Sequence, residues 1–165
     1  MSLISDNRKA FFDYFIEDKY EAGMELLGWE VKSARAGNVN LQDSFVFFPV
    51  SGAPVSLRGA SRSNPPVECF LKNAHFSPYE NGDVSNQETR RDRRLLLNRS
   101  EINKLCNAVK TKGYTCIATK IYFNKQGRVK IEIALAKGKH SYDKKKVMKE
   151  KDIARETARE VKSVR

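Results

Sequence analysis

Histidine and cysteine are scarce in this 165-residue chain, which has two of the first and three of the second. His75 and His140 stand far apart, Cys69, Cys106 and Cys116 have no close spacing, and no CxxC occurs. That argues against a zinc site and against a disulfide framework. The thiols are expected to be reduced and mostly buried. No apolar run approaches the roughly 18 residues that a membrane span needs. The first residues lack the charged-then-apolar pattern of a signal peptide, so a cytoplasmic location is expected. Enzyme signatures are missing too: no Gly-rich phosphate loop, no GxSxG, no HExxH and no histidine near a candidate nucleophile. No catalytic residue, metal or cofactor is expected. Asp13, Glu17 and Asp18 hint at a metal nuclease, because strand alternation would put Asp13 and Glu17 on one face, but such pairs are usually solvated.

Negative charge is also in short supply. Twenty Asp and Glu face thirty-one Lys and Arg, a formal net charge of +11 with a sequence pI near 9.7. Residues 137–165 hold eleven Lys or Arg against five Asp or Glu, so a net +6 sits on less than a fifth of the chain. The asymmetry suggests a body over 1–136 and a basic tail over 137–165, and basic arms most often meet nucleic acid. An anionic membrane is the rival partner, but the tail lacks the Trp, Phe and Leu face of an interfacial helix. In the tail, Ile153, Ala154, Ala158 and Val161 would make a thin helical stripe, supported by neighbouring-turn charge pairs worth only about 0.2–0.5 kcal/mol each. The tail is therefore expected to be disordered alone and helical when bound. The plain alternative is a solvated terminal helix.

What is present is mostly β pattern. Asn7 to Phe12 reads as a polar-aromatic lead-in, and Asp13 to Leu27 as two strands separated at Gly23. Trp29 to Ala36 reads as a helical turn or two stopping at Gly37-Asn38, and Ser44 to Val50 as a β-rich run. Ser51 to Pro66 and Pro78 to Asn86 read as loops, with a strand over Val67 to Ala74 between them. The clearest helix is Arg99 to Lys112, with Asn98 placed to cap it, Glu101 three residues on, an Ile102, Leu105, Cys106, Val109 stripe and Gly113 at its end. Tyr114 to Phe123 and Arg128 to Ala136 read as a hairpin across Asn124-Lys125-Gln126-Gly127. Six β-runs and one good helix predict a mainly β fold: a small closed antiparallel barrel of oligonucleotide-binding type with peripheral helices.

Among candidate contacts, Arg90, Arg91, Arg93 and Arg94 put four guanidinium forks into five residues, a density that favours phosphate. The alternative is a solvated loop with one internal pair to Asp92. Lys32, Arg35 and Asn38, beside Trp29, form a second basic cluster. Phe11, Phe12, Tyr14 and Phe15 offer stacking surfaces if exposed. Glu21 reads locally as a surface carboxylate able to accept from a base edge or 2′-hydroxyl.

Taken together, these segments resemble the bacterial SsrA-binding protein family, also called small protein B. The matching pieces include Asp13-Tyr14-Phe15-Ile16-Glu17, Tyr20-Glu21-Ala22-Gly23, Gly28-Trp29-Glu30-Val31-Lys32-Ser33, Arg93-Arg94-Leu95-Leu96-Leu97-Asn98, Ala134-Leu135-Ala136-Lys137-Gly138-Lys139 and Tyr142-Asp143-Lys144-Lys145. They run in order from about Asn7 into the tail. The resemblance implies a barrel that binds transfer-messenger RNA at the elbow of its tRNA-like part, as a monomer binding one to one. It implies a tail that enters the empty mRNA channel and decoding centre of stalled ribosomes. It links Glu21, Leu96 and Asn98 to RNA binding, Gly138 to the tail junction, and Tyr142, Asp143 and Lys144 to the decoding site, within a stretch running from Lys137 and Lys139 to Lys145. Where the family commonly has Asp-Lys-Arg, this chain has Asp143-Lys144-Lys145, which keeps charge but loses a planar fork. Where the family usually shows Asp-Pro, it has Glu88-Thr89, and its Ser51–Pro66 loop is longer. The other reading from the same residues is a structural ribosome-associated protein with a basic arm in ribosomal RNA.

Overall fold

In the computed structural model, the described residues are 2–49, 68–79 and 87–140, plus 142, 143, 145, 148, 149, 156 and 157 in the tail. The loop expected at Ser51–Pro66, most of that at Pro78–Asn86, and the apolar stripe of the tail lie outside them.

The chain begins with strand β1 (Ser2–Asp6), helix α1 (Arg8–Asp13), strand β2 (Tyr14–Met24) and helix α2 (Gly28–Arg35). Short strands β3 (Val39–Asn40), β4 (Phe45–Phe47), β5 (Cys69–Lys72), β6 (His75–Phe76) and β7 (Arg93–Leu96) follow. Helix α3 (Arg99–Lys112) then leads into β8 (Thr115–Phe123) and β9 (Val129–Gly138). Strands β8 and β9 pair along their length, β9 pairs β2, β2 pairs β7, β7 pairs β5, and β5 pairs β4. At Phe45↔Ile117, β4 returns to β8, so six antiparallel strands form a ring. β1 prolongs this sheet on β8, and β3 pairs with β6 apart from it. The mainly β expectation is met, and the ring leaves few open edges.

Alternation explains the core. Ala22, Leu71, Ile121, Ile131 and Ile133 point inward and are fully buried, together with Phe76. On β9 the inward residues alternate as expected, but Ala134 and Ala136 are buried as well. Helix α1 covers the outer side there, packing Ala10 against Ile117 and Ala136. The local pattern of Asn7 to Phe12 shows no more than a lead-in. Six residues are too few to display a helical stripe, and the stability of α1 comes from tertiary anchoring. Asn7 caps it through Oδ1, which accepts from Ala10 N at 3.1 Å, while Nδ2 donates to Leu41 O and Ala118 O.

The two strands expected over Asp13 to Leu27 are one. Gly23 does not break the strand. It lies directly opposite Leu96, and a Cβ added there would stand 3.2 Å from the Leu96 Cβ. The irregularity lies earlier, as a register shift between Ile16 and Lys19. Helix α3 matches its expected bounds: Asn98 N donates to Glu101 Oε2 at 3.0 Å, and Gly113 takes φ 64° in the left-handed region. In the hairpin, Asn124 Oδ1 accepts from the backbone of Gln126 and Arg128.

Candidate nucleic-acid interface

Pairing register fixes which side chains share the outside of the ring. Gly23 sits opposite Leu96 on one side and Lys130 on the other, and Lys130 sits opposite Tyr122. Glu21 lies two residues along β2 on the same face. Its Oε2 accepts a short hydrogen bond from the Tyr122 hydroxyl, and its Oε1 lies 3.4 Å from Lys130 Nζ. The Tyr122 bond holds the Glu21 carboxyl below its ordinary value, with Lys130 helping and burial opposing. Burial, then the Glu21 bond, pushes Tyr122 up to about 12. The result is an ionised carboxylate fixed by a phenol, half-exposed and flanked by a cation.

Beside it is a groove of about 380 Å³ lined by Met24, Val31, Leu96, Arg128 and Lys130 among others. Leu96 is 54% exposed, unusual for a leucine on a strand of the ring. Two residues on, Asn98 begins α3. Its backbone N–H serves the cap by donating to Glu101 Oε2, and the residue is exposed. On α2, Lys32 and Arg35 are exposed, with Lys32 Nζ 4.9 Å from the Tyr79 ring centroid. Trp29 is half-buried and packs against the core.

The arginine run divides. Arg90 and Arg94 are exposed, and Arg94 pairs with Glu68 at 2.9 Å. Arg93, expected to hold phosphate, is fully buried. Its Nε donates to Glu30 Oε1 at 2.8 Å, its two terminal nitrogens donate to the carbonyls of Ala74, Arg91 and Thr89, and the guanidinium lies 4.1 Å from the Phe76 ring centroid. No surface of Arg93 is left for RNA. Arg91 is also drawn inward, forking onto both Glu30 oxygens. Burial pulls the Arg93 pKa down and Glu30 opposes the shift; the guanidinium stays charged. Nothing in the local pattern marks Glu30 as the partner of this strand. Alternation does carry a signal, because Arg93 and Leu95 share one face while Arg94 and Leu96 share the other.

The tail root belongs to the body. Gly138 pairs with Tyr14 at the end of β9, Lys139 N donates to Asp13 O at 2.9 Å, and Lys139 Nζ donates to Phe11 O and lies 5.1 Å from the Phe15 ring centroid. The body therefore runs past Ala136. Gly138 has no positive φ, and a Cβ added there would meet nothing within 4 Å, so nothing in the fold itself requires glycine at this position. Beyond it, Asp143 Oδ2 accepts from His140 N at 3.3 Å, Tyr142 is 78% exposed, and Lys145 is exposed. Lys144 lies outside the described residues. All described tail residues from Tyr142 onward have helical backbone.

Asp13 and Glu17 do not form the carboxylate pair that strand alternation would give. Asp13 ends α1, and Glu17 accepts from the Tyr114 hydroxyl at 2.8 Å. Among the described residues, no group of His, Cys, Asp and Glu is placed to hold a metal. No helix among them is long and apolar enough to cross a membrane. The three cysteines are free, Cys69 and Cys116 buried and Cys106 half-buried.

A protein-family model described as "SmpB protein" matches residues 4–163. The SsrA-binding protein of Caldanaerobacter subterraneus subsp. tengcongensis is 48% identical over 162 residues, covering 98% of this chain and 92% of that one. The SsrA-binding protein of Pelobacter propionicus is 47% identical over 161 residues, covering 98% and 95%. A solved chain from work described as "tmRNA-SmpB: a journey to the center of the bacterial ribosome" superposes with a TM-score of 0.62 at 39% identity, covering 83% of this chain and 85% of that one.

Proposed function

This chain belongs to the SmpB family of SsrA-binding proteins, and from that premise we propose that it binds transfer-messenger RNA and delivers it to stalled ribosomes for trans-translation. It acts by positioning, without catalysis, in the cytoplasm, one copy per RNA. The observation that carries this reading is the outer face on which Leu96 and Lys130 line one groove, with Glu21 in contact with Lys130 and Asn98 two residues beyond Leu96. A carboxylate held ionised by Tyr122 accepts hydrogen bonds from base edges or 2′-hydroxyls, and the exposed Leu96 packs on a base or sugar. Lys32, Arg35 and Arg94 supply exposed charge around it. The ring, with its peripheral helices, is of oligonucleotide-binding type, a fold whose sheet faces take unpaired nucleotides. The tail starts after a junction at Lys137, Gly138 and Lys139 that is tied to β2 and α1, and it reaches the decoding centre and mRNA channel through Tyr142, Asp143, Lys144 and Lys145.

A titration of the full chain against transfer-messenger RNA and against bulk tRNA, at one near-physiological salt concentration, tests this. Tight binding selective for the first supports the reading. Equal and weak binding to both sinks it and leaves a basic protein that recognises phosphate alone.

A further inference from the structure

The outer face does not end at Leu96. On β7, Arg94 shares that face with Leu96. Arg94 sits in register with Phe70 on β5, and Phe70 with Phe47 on β4, while Lys72 sits opposite Phe45 one step away. Residues directly opposite in antiparallel strands point to the same side, so this sector continues the groove-bearing face around the ring without a break. Its chemistry is aromatic and basic by turns. Phe47 is 42% exposed, although it lies in a strand whose neighbour Val46 is buried. Lys72 Nζ lies 4.9 Å from the Phe47 ring centroid. A second groove of about 240 Å³, lined by Glu68, Arg94, Leu96, Arg99 and Ile102 among others, links the sector to the start of α3.

We propose that the RNA-binding face extends from Leu96 across β7 and β5 to Phe47, where an unpaired base of the bound RNA stacks. The inference rests on the proposed RNA binding and adds a subsite to it. Charge alone does not carry it, because Lys72 pairs with Asp92 at 3.0 Å and Arg94 with Glu68. Stacking on an exposed ring is what the sector offers beyond ordinary surface; the Lys72 ammonium over that ring would have to give way to a base on the same face or hold the ring for a base on its other side. A phosphate next to the stacked base would displace Asp92 from Lys72.

Phe47→Ala, Phe47→Tyr and Lys72→Gln, all in the full chain, are titrated against transfer-messenger RNA over a range of salt, with Glu21→Gln as the reference and thermal melts to verify folding. Phe47→Ala is expected to raise Kd about fivefold or more, with the salt slope unchanged. Phe47→Tyr keeps the ring and retains the affinity. Lys72→Gln makes the slope shallower by up to roughly 0.7–0.9. Unchanged affinity in a folded Phe47→Ala variant overturns the extension, and does so all the more clearly if that variant weakens ribosome association instead. Should the unsubstituted chain fail to distinguish transfer-messenger RNA from bulk tRNA, the underlying reading fails. Should Glu21→Gln lose affinity while Phe47→Ala does not, only the extension fails.

Discussion

Glu21 is the residue whose state most directly reports on the proposed face. Its carboxyl is held down first by the Tyr122 hydroxyl and then by Lys130. A carboxylate whose folded pKa lies below its unfolded value adds stability above the unfolded value, and that contribution fades as pH falls through the folded one. The side chain is 49% exposed, so solvent screening keeps the stability effect small; the titration itself is the informative quantity. An NMR titration of Glu21 is expected to give a midpoint below that of an ordinary glutamate, and Tyr122→Phe is expected to move it upward. A midpoint that ignores Tyr122→Phe would mean the hydroxyl does not hold the carboxylate in solution. Asn7 is the opposite kind of residue, buried and fully bonded. Asn7→Ala would strip partners from Ala10 N, Leu41 O and Ala118 O at once, and is expected to cost about 1–3 kcal/mol in urea unfolding. A loss under about 0.5 kcal/mol would show that water replaces all three bonds. The buried thiols behave as apolar groups: burial pushes Cys69 up to about 11 and Cys116 up to about 12. Alkylation of the native protein at neutral pH should therefore stop at Cys106, with Cys69 and Cys116 reacting only on unfolding.

At the scale of elements, the strand bearing Arg93 and Arg94 separates two tasks that look alike in sequence. Arg93→Ala would leave the fully buried Glu30 with one of its two guanidinium partners gone, and is expected to destabilise the protein by about 3–5 kcal/mol. Arg94→Ala removes the half-exposed partner of a largely buried Glu68 carboxylate, is expected to cost clearly less stability than Arg93→Ala, and weakens RNA binding with a shallower salt slope. Equal melting temperatures for the two variants would contradict this division. The sequence is legible wherever an element declares itself locally. Helix α3 has its cap partner, its stripe and its left-handed glycine within the short stretch from Asn98 to Gly113, and the β8–β9 hairpin has its turn asparagine and glycine. It is illegible where long-range contact decides. Helix α1 exists because Ala10 meets Ile117 and Ala136 from β8 and β9. Arg93 is interior because Glu30, 63 residues earlier, waits for it. Gly23 is needed for closeness to Leu96 rather than for a turn. Of the proposed site, Glu21, Leu96 and Asn98 were named by the resemblance, while composition pointed to a run of arginines of which Arg93 is core.

Across the whole molecule, the basic excess is shared between a body that closes on itself and a tail that leaves it at a defined point. That point is not Ala136. Lys137 and Gly138 are still in β9, and Lys139 bonds α1 through both its backbone and its ammonium. Two truncations therefore test different things. A chain ending at His140 keeps every one of these contacts and loses only the tail. It is expected to melt within a few degrees of the full chain, to bind transfer-messenger RNA with nearly full affinity, and to fail in tagging by stalled ribosomes. A chain ending at Ala136 also loses the last pairs between β9 and β2 and the Lys139 clamp on α1, so it is expected to melt lower, with α1 loosened from Ile117. Comparing the two separates a ribosomal role of the tail from damage to the body, which a single cut at Ala136 would confuse. If the chain ending at His140 lost its RNA affinity, the tail rather than the outer face of the ring would be the main RNA-binding element, and Glu21, Leu96 and Asn98 would need another explanation for their placement. If it retained tagging, the decoding-site role of Tyr142 to Lys145 would be wrong, and the junction at Gly138 would have no tail to place.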